Sequence, residues 1–270
     1  MNPLKERASP VGQLLKQWRS VRRMSQLELA LEAGVSARHL SFVETGRSRP
    51  SREMVMLLAE VLAVPLRERN ALLEAAGYAG YYREAGLSDP ELAHVRQVID
   101  FILERHEPYS AVAVDRHWNV LIANRPHERM LAHLLDGRSI DESTAGNLLR
   151  LTFDPDGLRP CIANWEEVAR ALLDRVHREI GRSSDEESEA LLEELLSYPG
   201  VPDRWRVPDL TRSPPVVIPI RLRAGELELA LFSAITTLGT ALDVTLHELR
   251  IESFFPADEA TDRAIRGLAS

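Results

Sequence analysis

Four side chains in one short segment have the types and spacing needed to contact the edges of DNA bases. In the segment ARHLSFVE, Leu40 and Val43 are three residues apart and form an apolar face. This spacing turns the remaining candidates outward, namely Ala37, Arg38, Ser41 and Phe42. An arginine can donate two hydrogen bonds to O6 and N7 of guanine, whereas Ala and Phe can pack against a thymine methyl group. We therefore expect Arg38 to read a base.

Two short helices joined by a tight turn are predicted to position this segment. Ser25 is a good helix N-cap, and the apolar residues Leu29, Ala30 and Ala33 follow it at helical spacing. Gly34 can end this helix in a left-handed conformation, and Ser36 can cap the next one. Such a pair fits a helix-turn-helix, whose second helix lies in the DNA major groove. Since similar pairs occur in folds that never contact DNA, the flanking segments also have to be considered.

Further amphipathic helices are predicted on both sides of the pair. One precedes it, with apolar residues Leu14, Leu15, Trp18 and Val21, and one follows it, with Met54, Leu57, Leu58, Val61 and Leu62. Pro65 opens a further helix. Gly46 and Pro50 interrupt the connecting segment GRSRPSREM, in which Arg47 and Arg49 are predicted to contact phosphates. The N-terminal region is thus predicted to be an all-α helix-turn-helix domain.

These motifs resemble the helix-turn-helix domain of the xenobiotic-response-element (XRE) family and of the lambdoid phage repressors. The matching segments are SQLELALEAGVS, LSFVETGRSRPS and LAEVLAV. The resemblance implies control of transcription through DNA binding. It places Gln26 on a phosphate and puts the following residues near the bases: Ser36, Ala37, Arg38 and Phe42. It also implies an internal salt bridge between Arg19 and Glu44.

Charge is distributed unevenly along the chain. Residues 1–80 contain 12 Lys and Arg against 8 Asp and Glu, a net charge of +4, and the whole-chain totals of 33 and 41 therefore leave −12 for the remainder. A basic domain is typical of nucleic-acid binding, and an acidic remainder is expected to lie away from phosphate. The expected partner is a double-stranded DNA operator, bound by a homodimer that reads two half-sites.

Other classes of protein are disfavoured by features that the sequence lacks. It begins with the charged segment MNPLKERASP, and no apolar run approaches the roughly 18 residues of a membrane span. A single cysteine, Cys161, allows neither an internal disulfide nor a multi-cysteine zinc site. Nucleophile-elbow, zinc-helix and phosphate-loop motifs are missing. We expect a cytoplasmic protein without membrane contact, catalytic site or metal site.

A second domain of different character is predicted beyond the glycine- and tyrosine-rich segment near residue 80. We assign residues 1–80 to the helix-turn-helix domain, residues 81–91 to a linker and residues 92–270 to the second domain. A helix in this domain is followed by the hairpin YSAVAVDRHWNVLIAN, which turns near Arg116. Two helical regions follow, the second starting at Ser184.

Three more strands are predicted towards the C-terminus. Apolar residues alternate from Val216 through Ile218 to Leu222, and again beyond a turn at Gly225. In the last strand, the apolar residues are first at even positions, Leu242, Val244 and Leu246, and then at odd positions, Leu249 and Ile251. This change predicts a bulge at His247 and Glu248. In HELRIE, the side chains of His247, Glu248 and Arg250 could bind a carboxylate or act in catalysis, but on an exposed strand face we interpret them as a solvated charge ladder.

This order of elements is that of a PAS-like sensor domain. The predicted fold class is therefore an all-α N-terminal domain plus an α+β C-terminal domain, which has a five-stranded antiparallel sheet with helices on one face. Four segments, DRHWNVLIAN, NLLRLTFDP, NWEEVARALLDRV and ITTLGTALDVTLHELRIESFFPAD, resemble the MmyB-like ligand-binding domain of bacterial regulators.

This second resemblance implies an apolar pocket between the sheet and the helices, a fatty-acid-like ligand and no other cofactor. Side chains that combine large apolar walls with uncharged polar groups near the sheet are the expected lining. The candidates are Trp118, Asn124, Asn147, Phe153, Trp165 and Thr236. Two alternatives stay open. The C-terminal domain can be a ligand-free dimerisation or protein-binding module, or an enzyme domain fused to the DNA-binding domain.

Overall fold

The computed structural model describes residues 9–180, 185–207, 217, 219–239 and 242–268. It forms two compact units, and the chain passes from the first to the second between Ala85 and Gly86, inside the predicted linker. The segment Thr240–His247 belongs to the first unit, although it lies far along the chain. This differs from the predicted division, which placed that segment in the second domain.

Helices alone form the N-terminal part of the first unit. They are α1 (Pro10–Val21), α2 (Gln26–Glu32), α3 (Ala37–Glu44), α4 (Arg52–Val61) and α5 (Leu66–Ala75). The predicted caps at Ser25 and Ser36 are present, and Ser51 caps α4 in the same way. The three hydroxyl groups accept hydrogen bonds from the first turns of α2, α3 and α4. Gly34 has a φ of +65°, which gives the turn between α2 and α3 its left-handed residue.

A single apolar cluster holds the helices of the first unit together. It buries most of the residues that the helical spacing predicted to face inward, including Leu15, Trp18, Leu29, Leu40, Val43 and Leu58. Val21 and Leu57, which were also predicted to face inward, are each 41% exposed. Because α1, α2 and α3 all contribute to this cluster, the outward face of α3 is fixed relative to its neighbours.

The second unit combines a sheet with helices. Its helices are α6 (Ala93–Arg105), α7 (Arg125–Leu135), α8 (Glu142–Ala145), α9 (Leu148–Phe153), α10 (Trp165–Ile180), α11 (Glu186–Ser197) and α13 (Glu259–Leu268). Helix α12 (Val244–Glu248) lies between the last two strands. The strands are β1 (Ala111–Val114), β2 (Val120–Ala123), β3 (Ile220–Ala224), β4 (Leu227–Thr237) and β5 (Arg250–Pro256).

Within the described residues the strands form one five-stranded sheet in the order β2-β1-β5-β4-β3, with every neighbouring pair antiparallel. In this register Val112 of β1 lies opposite Glu252 of β5, and Thr236 of β4 lies opposite Ile251. The predicted five-stranded antiparallel sheet is confirmed.

The two faces of the sheet are covered differently. Val112 and Val114 pack with side chains of α9, α10 and α11 on one face, which carries the predicted helical layer. On the opposite face, Ala111 and Ala113 pack against Ile99 and Leu103 of α6. Alternation along β1 therefore places successive residues in two separate apolar clusters.

The predicted path of the last strand is wrong in its first half. Residues Val244–Glu248 form α12, so β5 begins at Arg250 and the predicted bulge at His247 and Glu248 is not present. A side-chain cap explains the helix, because Asp243 Oδ1 accepts hydrogen bonds from the backbone N–H groups of Thr245 and Leu246. The predicted helix start at Ser184 and the strand positions Val216 and Ile218 lie outside the described residues.

Candidate DNA-binding surface and ligand cavity

Two arginines surround an aromatic ring on the outward face of α3. The guanidinium carbon of Arg38 lies 5.4 Å from the centre of the Phe42 ring, and that of Arg47 lies 5.9 Å from it. Both arginines are exposed, whereas Phe42 is half-buried. Cation–π contact with one ring holds the two positive charges together at the surface. The face can thus present a guanidinium to a base edge and a second one to a phosphate.

The other predicted base-facing residues occupy the same end or side of α3. Ser36 is the exposed N-cap, and its hydroxyl oxygen accepts a hydrogen bond of 3.1 Å from the backbone N–H of His39. Ala37 and Ser41 are both half-buried and stand one turn apart. Since these small residues add little bulk, the N-terminal end of α3 can approach a groove closely.

A buried ion pair fixes α3 to α1. Arg19 donates two hydrogen bonds to the Glu44 carboxylate, 2.7 Å from Nε to Oε1 and 2.9 Å from Nη2 to Oε2. The salt bridge implied by the first resemblance is therefore present. Gln26 Nε2 also donates to Glu44 Oε2 at 2.7 Å. Glu44 thus orients the amide that is predicted to contact a phosphate.

Arg49 has a structural role that differs from its predicted phosphate contact. Its Nε donates to the carbonyl oxygen of Ala76 at 2.9 Å, and its Nη2 donates to that of Gly77 at 3.2 Å. The guanidinium also lies 5.1 Å from the centre of the Tyr78 ring. These contacts turn Arg49 towards the C-terminal end of α5, where it binds the carbonyl groups of the two residues that follow the helix.

An apolar cavity lies between the sheet and the helices of the second unit. Its volume is about 70 Å³. The walls come mainly from β3, β4, β5, α7, α9 and α10. The lining residues are Trp118, His127, Met130, Leu131, Leu134, Leu148, Leu149, Thr152, Leu158, Ile162, Val168, Leu172, Ile220, Leu222, Leu231, Glu252 and Phe254.

Trp118 is the predicted candidate that lines this cavity. It lies in the turn between β1 and β2 with a φ of +68°, an uncommon conformation for a residue with a bulky side chain. Asp115 holds the turn, because its Oδ1 accepts hydrogen bonds from the backbone N–H groups of His117 and Asn119. The Trp118 ring is also packed against the guanidinium of Arg175, at 4.4 Å.

Asn124 and Asn147 lie outside the lining and cap helices. Asn124 Oδ1 accepts hydrogen bonds from the backbone N–H groups of Ala111 and His127, and its Nδ2 donates to two carbonyl groups. Asn147 Oδ1 likewise accepts from the first turn of α9, while its Nδ2 donates to His117 O and Asn119 Oδ1. Both amides use their donors and acceptors internally.

The remaining three candidates also lie outside the lining. Phe153 is fully buried and packs edge-on against Trp165, with 5.0 Å between the ring centres. Thr236 is exposed, and its place opposite Ile251 puts it on the face of the sheet that points away from the cavity. The sequence alone identified the strand but not the register that decides the face.

Sequence reasoning missed the polar residues of the cavity, His127 and Glu252. Glu252 is only 6% exposed. The solvated ladder predicted for His247, Glu248 and Arg250 on a strand is wrong, because His247 and Glu248 belong to α12. Glu248 pairs with Arg116, and Arg250 Nη1 lies 2.7 Å from Glu179 Oε1. The sequence does contain a signal for the burial of Glu252. In IESFF, Ile251 and Phe255 point to one face of the strand and Phe254 points to the other, which indicates a strand buried on both faces.

Burial controls the ionisation of both missed residues. Desolvation lowers the pKa of His127 to about 4, and its Nδ1 lies 2.8 Å from the hydroxyl oxygen of Ser110. Desolvation raises the pKa of Glu252, against the opposing effects of a hydrogen bond from Ser233 and the charges of Arg175 and Arg250. His127 is therefore neutral near pH 7, and ionised Glu252 is disfavoured by its surroundings.

Comparison with protein families gives two matches along the chain. A family model described as helix-turn-helix matches residues 15–69. A second model, described as the MmyB-like transcription regulator ligand binding domain, matches residues 95–268. No curated protein sequence matches the chain. The first match contains α3, and the second contains the cavity.

One solved structure with a weak likeness is described as "Structure of an RNA-binding Light-Oxygen-Voltage Receptor". The identity is 12% and the TM-score is 0.25, with 97% of this chain covered. This chain spans 64% of the length of that one. A likeness at this level carries no argument about fold or function.

Two further observations concern the described residues only. In that part of the chain, no group of three or more His, Cys, Asp or Glu side chains is arranged to hold a metal ion. None of the helices described combines the length and apolar character required to cross a membrane.

Proposed function

Because the chain belongs to the family of MmyB-like transcription regulators, we propose that a small apolar effector of fatty-acid-like class binds its cavity and modulates DNA binding by α3. The chain combines a DNA-binding domain with a ligand-binding domain and is a transcription regulator. The class of the effector and its influence on DNA binding are the parts that we propose.

The cavity in the second unit is the observation that carries the effector proposal. Protein interiors are normally close-packed, so a domain that serves only for dimerisation needs no such space beneath its sheet. Here apolar side chains surround the space, and few polar groups face it. This composition suits an apolar molecule that is oriented by one polar end.

The α3 surface supports binding to a double-stranded DNA operator. Arg38 and Arg47 both contact the Phe42 ring at the surface, which supports the proposal that Arg38 reads guanine and that Arg47 contacts the DNA backbone. One small domain offers few base contacts, so we propose that a homodimer reads two half-sites about one helical turn apart. The protein would act in the cytoplasm, with no catalytic role.

Native mass spectrometry of the purified protein tests this function. We expect a dimer that carries an apolar molecule in stoichiometric amount, which solvent extraction would release for identification. Adding that molecule back to the extracted protein should change its affinity for operator DNA. A ligand-free dimer whose DNA affinity responds to no apolar molecule would contradict the proposal and favour the dimerisation module.

A pair of variants on α7 links the effect to the cavity. Leu131 and Leu135 are both half-buried and stand one turn apart, but only Leu131 is a lining residue. Leu131→Trp should fill the space and reduce the amount of co-purified ligand, whereas Leu135→Trp controls for the general cost of an added indole ring. Equal ligand content in the two variants would place the ligand elsewhere.

A further inference from the structure

The cavity contains few groups that could donate a hydrogen bond to the polar end of a ligand. No lysine or arginine is among its described lining residues. Thr152 Oγ1 donates to the carbonyl oxygen of Leu148 at 2.7 Å, and Trp118 Nε1 is directed to Glu179 Oε2 at 3.4 Å. A fatty-acid carboxylate in this space would therefore need its donor from another lining residue.

Glu252 is a lining residue with an unsatisfied polar atom. Its side chain is buried, and its Oε2 has no hydrogen-bond partner among the described residues. The hydrogen bond that Ser233 makes to the carboxyl group does not reach this oxygen. In the strand register Glu252 lies opposite Val112, and it has the same parity on β5 as Phe254, which also lines the cavity. A buried polar atom without a partner retains its full desolvation penalty, which a suitable ligand would remove.

The surroundings of Glu252 favour its protonated form. Burial raises the pKa of this carboxyl group, against the opposing effects of a hydrogen bond from Ser233 and the charges of Arg175 and Arg250. A protonated carboxyl group has an O–H donor that the ionised group lacks. Glu252 can thus supply the donor that a ligand carboxylate requires.

The charged groups near Glu252 can stabilise one negative charge at this place. Arg175 of α10 and Arg250 of β5 both form ion pairs with Glu179 of α10, so two arginines and one glutamate leave a net charge of +1. On α7, His127 is neutral near pH 7 because burial lowers its pKa to about 4. Two carboxyl groups that share one proton carry a single negative charge, which this net positive charge balances.

We propose that Glu252 binds the carboxylate of the fatty-acid-like effector through one proton that the two carboxyl groups share, held between Glu252 Oε2 and a ligand oxygen. This inference rests on the proposed function, since it requires such a ligand in the cavity. An exposed carboxyl group has a pKa of about 4.3, so the free ligand is a carboxylate above pH 6. If Glu252 is protonated before binding, no proton is exchanged with the solvent. If it is ionised, binding takes up one proton.

The test measures how the binding of two eight-carbon probes, octanoate and octanol, depends on pH. Calorimetry on the full-length protein, freed of co-purified ligand, gives both affinities between about pH 6 and pH 9. The octanoate affinity should fall as the pH rises, approaching about tenfold per pH unit once Glu252 is ionised in the ligand-free protein. The octanol affinity should stay nearly constant, because a hydroxyl group can accept from the protonated carboxyl group or donate to the ionised one.

Variants at Glu252 assign the pH dependence to this residue. Glu252→Gln keeps a hydrogen-bond donor but cannot titrate, so it should bind octanoate with an affinity that no longer changes with pH. Glu252→Leu has no donor and should bind octanoate about tenfold more weakly than the wild-type protein near pH 6. Glu228→Gln is the control that should keep the wild-type pH profile, because this exposed carboxylate of β4 pairs with Arg223. Circular dichroism of each variant checks that it folds.

The outcomes separate this inference from the proposed function. An octanoate affinity that is constant with pH in the wild-type protein, or that falls equally in Glu252→Gln, overturns the shared proton while the cavity remains a ligand site. Equal binding of octanoate by Glu252→Leu and the wild-type protein overturns the role of Glu252 in the same way. If neither probe binds the wild-type protein or changes its DNA affinity, both this inference and the proposed effector site are overturned.

Discussion

Phe42 of α3 contacts two positive charges, one on the helix and one in the loop that follows it. Its ring contacts both Arg38 and Arg47, so the base-reading candidate and the phosphate candidate share one support. Arg49, which is also close in sequence, turns instead to the carbonyl groups at the end of α5. Arginines with similar positions in the chain therefore have different roles, and the two on the ring can be separated by measuring specificity and salt dependence.

Replacing Arg38 should affect specificity more than affinity. Arg38→Ala removes two potential donors to a guanine edge, and discrimination at one base position should fall by about 1 to 3 kcal/mol. Binding to unrelated DNA should change little. Competition assays with operator variants at each position would measure this effect. Equal weakening on every sequence would rule out base reading by Arg38.

Replacing Arg47 should produce the opposite pattern. Arg47→Ala removes a positive charge from the predicted phosphate contact, so affinity should fall on operator and unrelated DNA alike. The slope of log Kd against log salt concentration should decrease by about one unit. Titrations over a range of salt concentrations would test this, with Arg38→Ala as the comparison. An unchanged slope would show that Arg47 does not contact a phosphate.

His127 should make the stability of the second unit depend on pH. Its pKa is about 4 in the folded protein, whereas an exposed histidine has a pKa of about 6.5. The unfolded chain therefore takes up the proton first as the pH falls. The contribution of His127 to the free energy of unfolding is therefore fully present above pH 6.5. As the pH falls to 4, the free energy of unfolding should decrease by about 3 kcal/mol.

The variant His127→Asn tests this pH dependence. It keeps a hydrogen-bonding group near Ser110 but cannot titrate in this range, so the decrease in stability between pH 7 and pH 4 should be smaller by about 3 kcal/mol. Urea unfolding followed by tryptophan fluorescence is suitable, because Trp118, Trp165 and Trp205 lie in the second unit. Parallel curves for the two proteins would contradict the assignment.

At the scale of helices and strands, local signals predicted the first unit well. Ser25, Ser36 and Ser51 act as caps, and the helices bury most of the residues that helical spacing selected, with Val21 and Leu57 as exposed exceptions. Each of these signals depends on residues a few positions apart, so the sequence contains them directly. The segment from Val244 shows the limit of the same reasoning. An alternating run this short also fits a helix, and Asp243 caps one.

The cavity depends on pairings between distant parts of the chain. Glu252 faces the cavity because β5 pairs with β1, about 140 residues earlier in the sequence. The same register turns Thr236 to the other face. A strand pattern predicts which residues share a face but not which face is inside. Trp118 lines the cavity, since its bulk favours a wall position, whereas the two asparagines are used as caps.

At the scale of the whole molecule, the chain segment between β4 and β5 belongs to the first unit, although both strands belong to the second. Asp243 Oδ2 accepts a hydrogen bond of 3.1 Å from the backbone N–H of Ala85, and the backbone N–H of Val244 donates to the carbonyl oxygen of Arg83 at 2.8 Å. These contacts belong to the first unit. Glu252 lies on β5, the strand that directly follows this segment. We therefore expect a ligand that shifts β5 to move Asp243 and Val244, and with them residues 83–85.

Asp243→Ala should reduce the effect of the ligand on DNA binding. The variant loses the bond to Ala85, and the ratio of DNA Kd values with and without the extracted ligand should move towards one. Allosteric coupling is typically about 5- to 150-fold, which gives the measurable range. Ligand affinity for the DNA-free protein should be retained.

A matched control for this variant is Asp89→Ala. Asp89 Oδ2 also accepts a backbone hydrogen bond, from Gly86 N–H at 2.9 Å, but it lies in the second unit. The control should keep the full response to the ligand. An unchanged response in Asp243→Ala would show that the effect reaches the DNA-binding helices by another route.

Residues 242–247 belong to the first unit although they follow most of the second unit in the chain. This affects how the sensor domain of such a regulator can be exchanged for another. A chimera that joins residues 1–85 to a foreign sensor would have its junction within the predicted linker, residues 81–91. It would nevertheless lack Asp243 and α12. The first unit would then expose backbone groups of residues 83 and 85 that are paired in the intact chain. Exchange of sensors between regulators built in this way would therefore require the β4–β5 segment to be carried over with the DNA-binding helices.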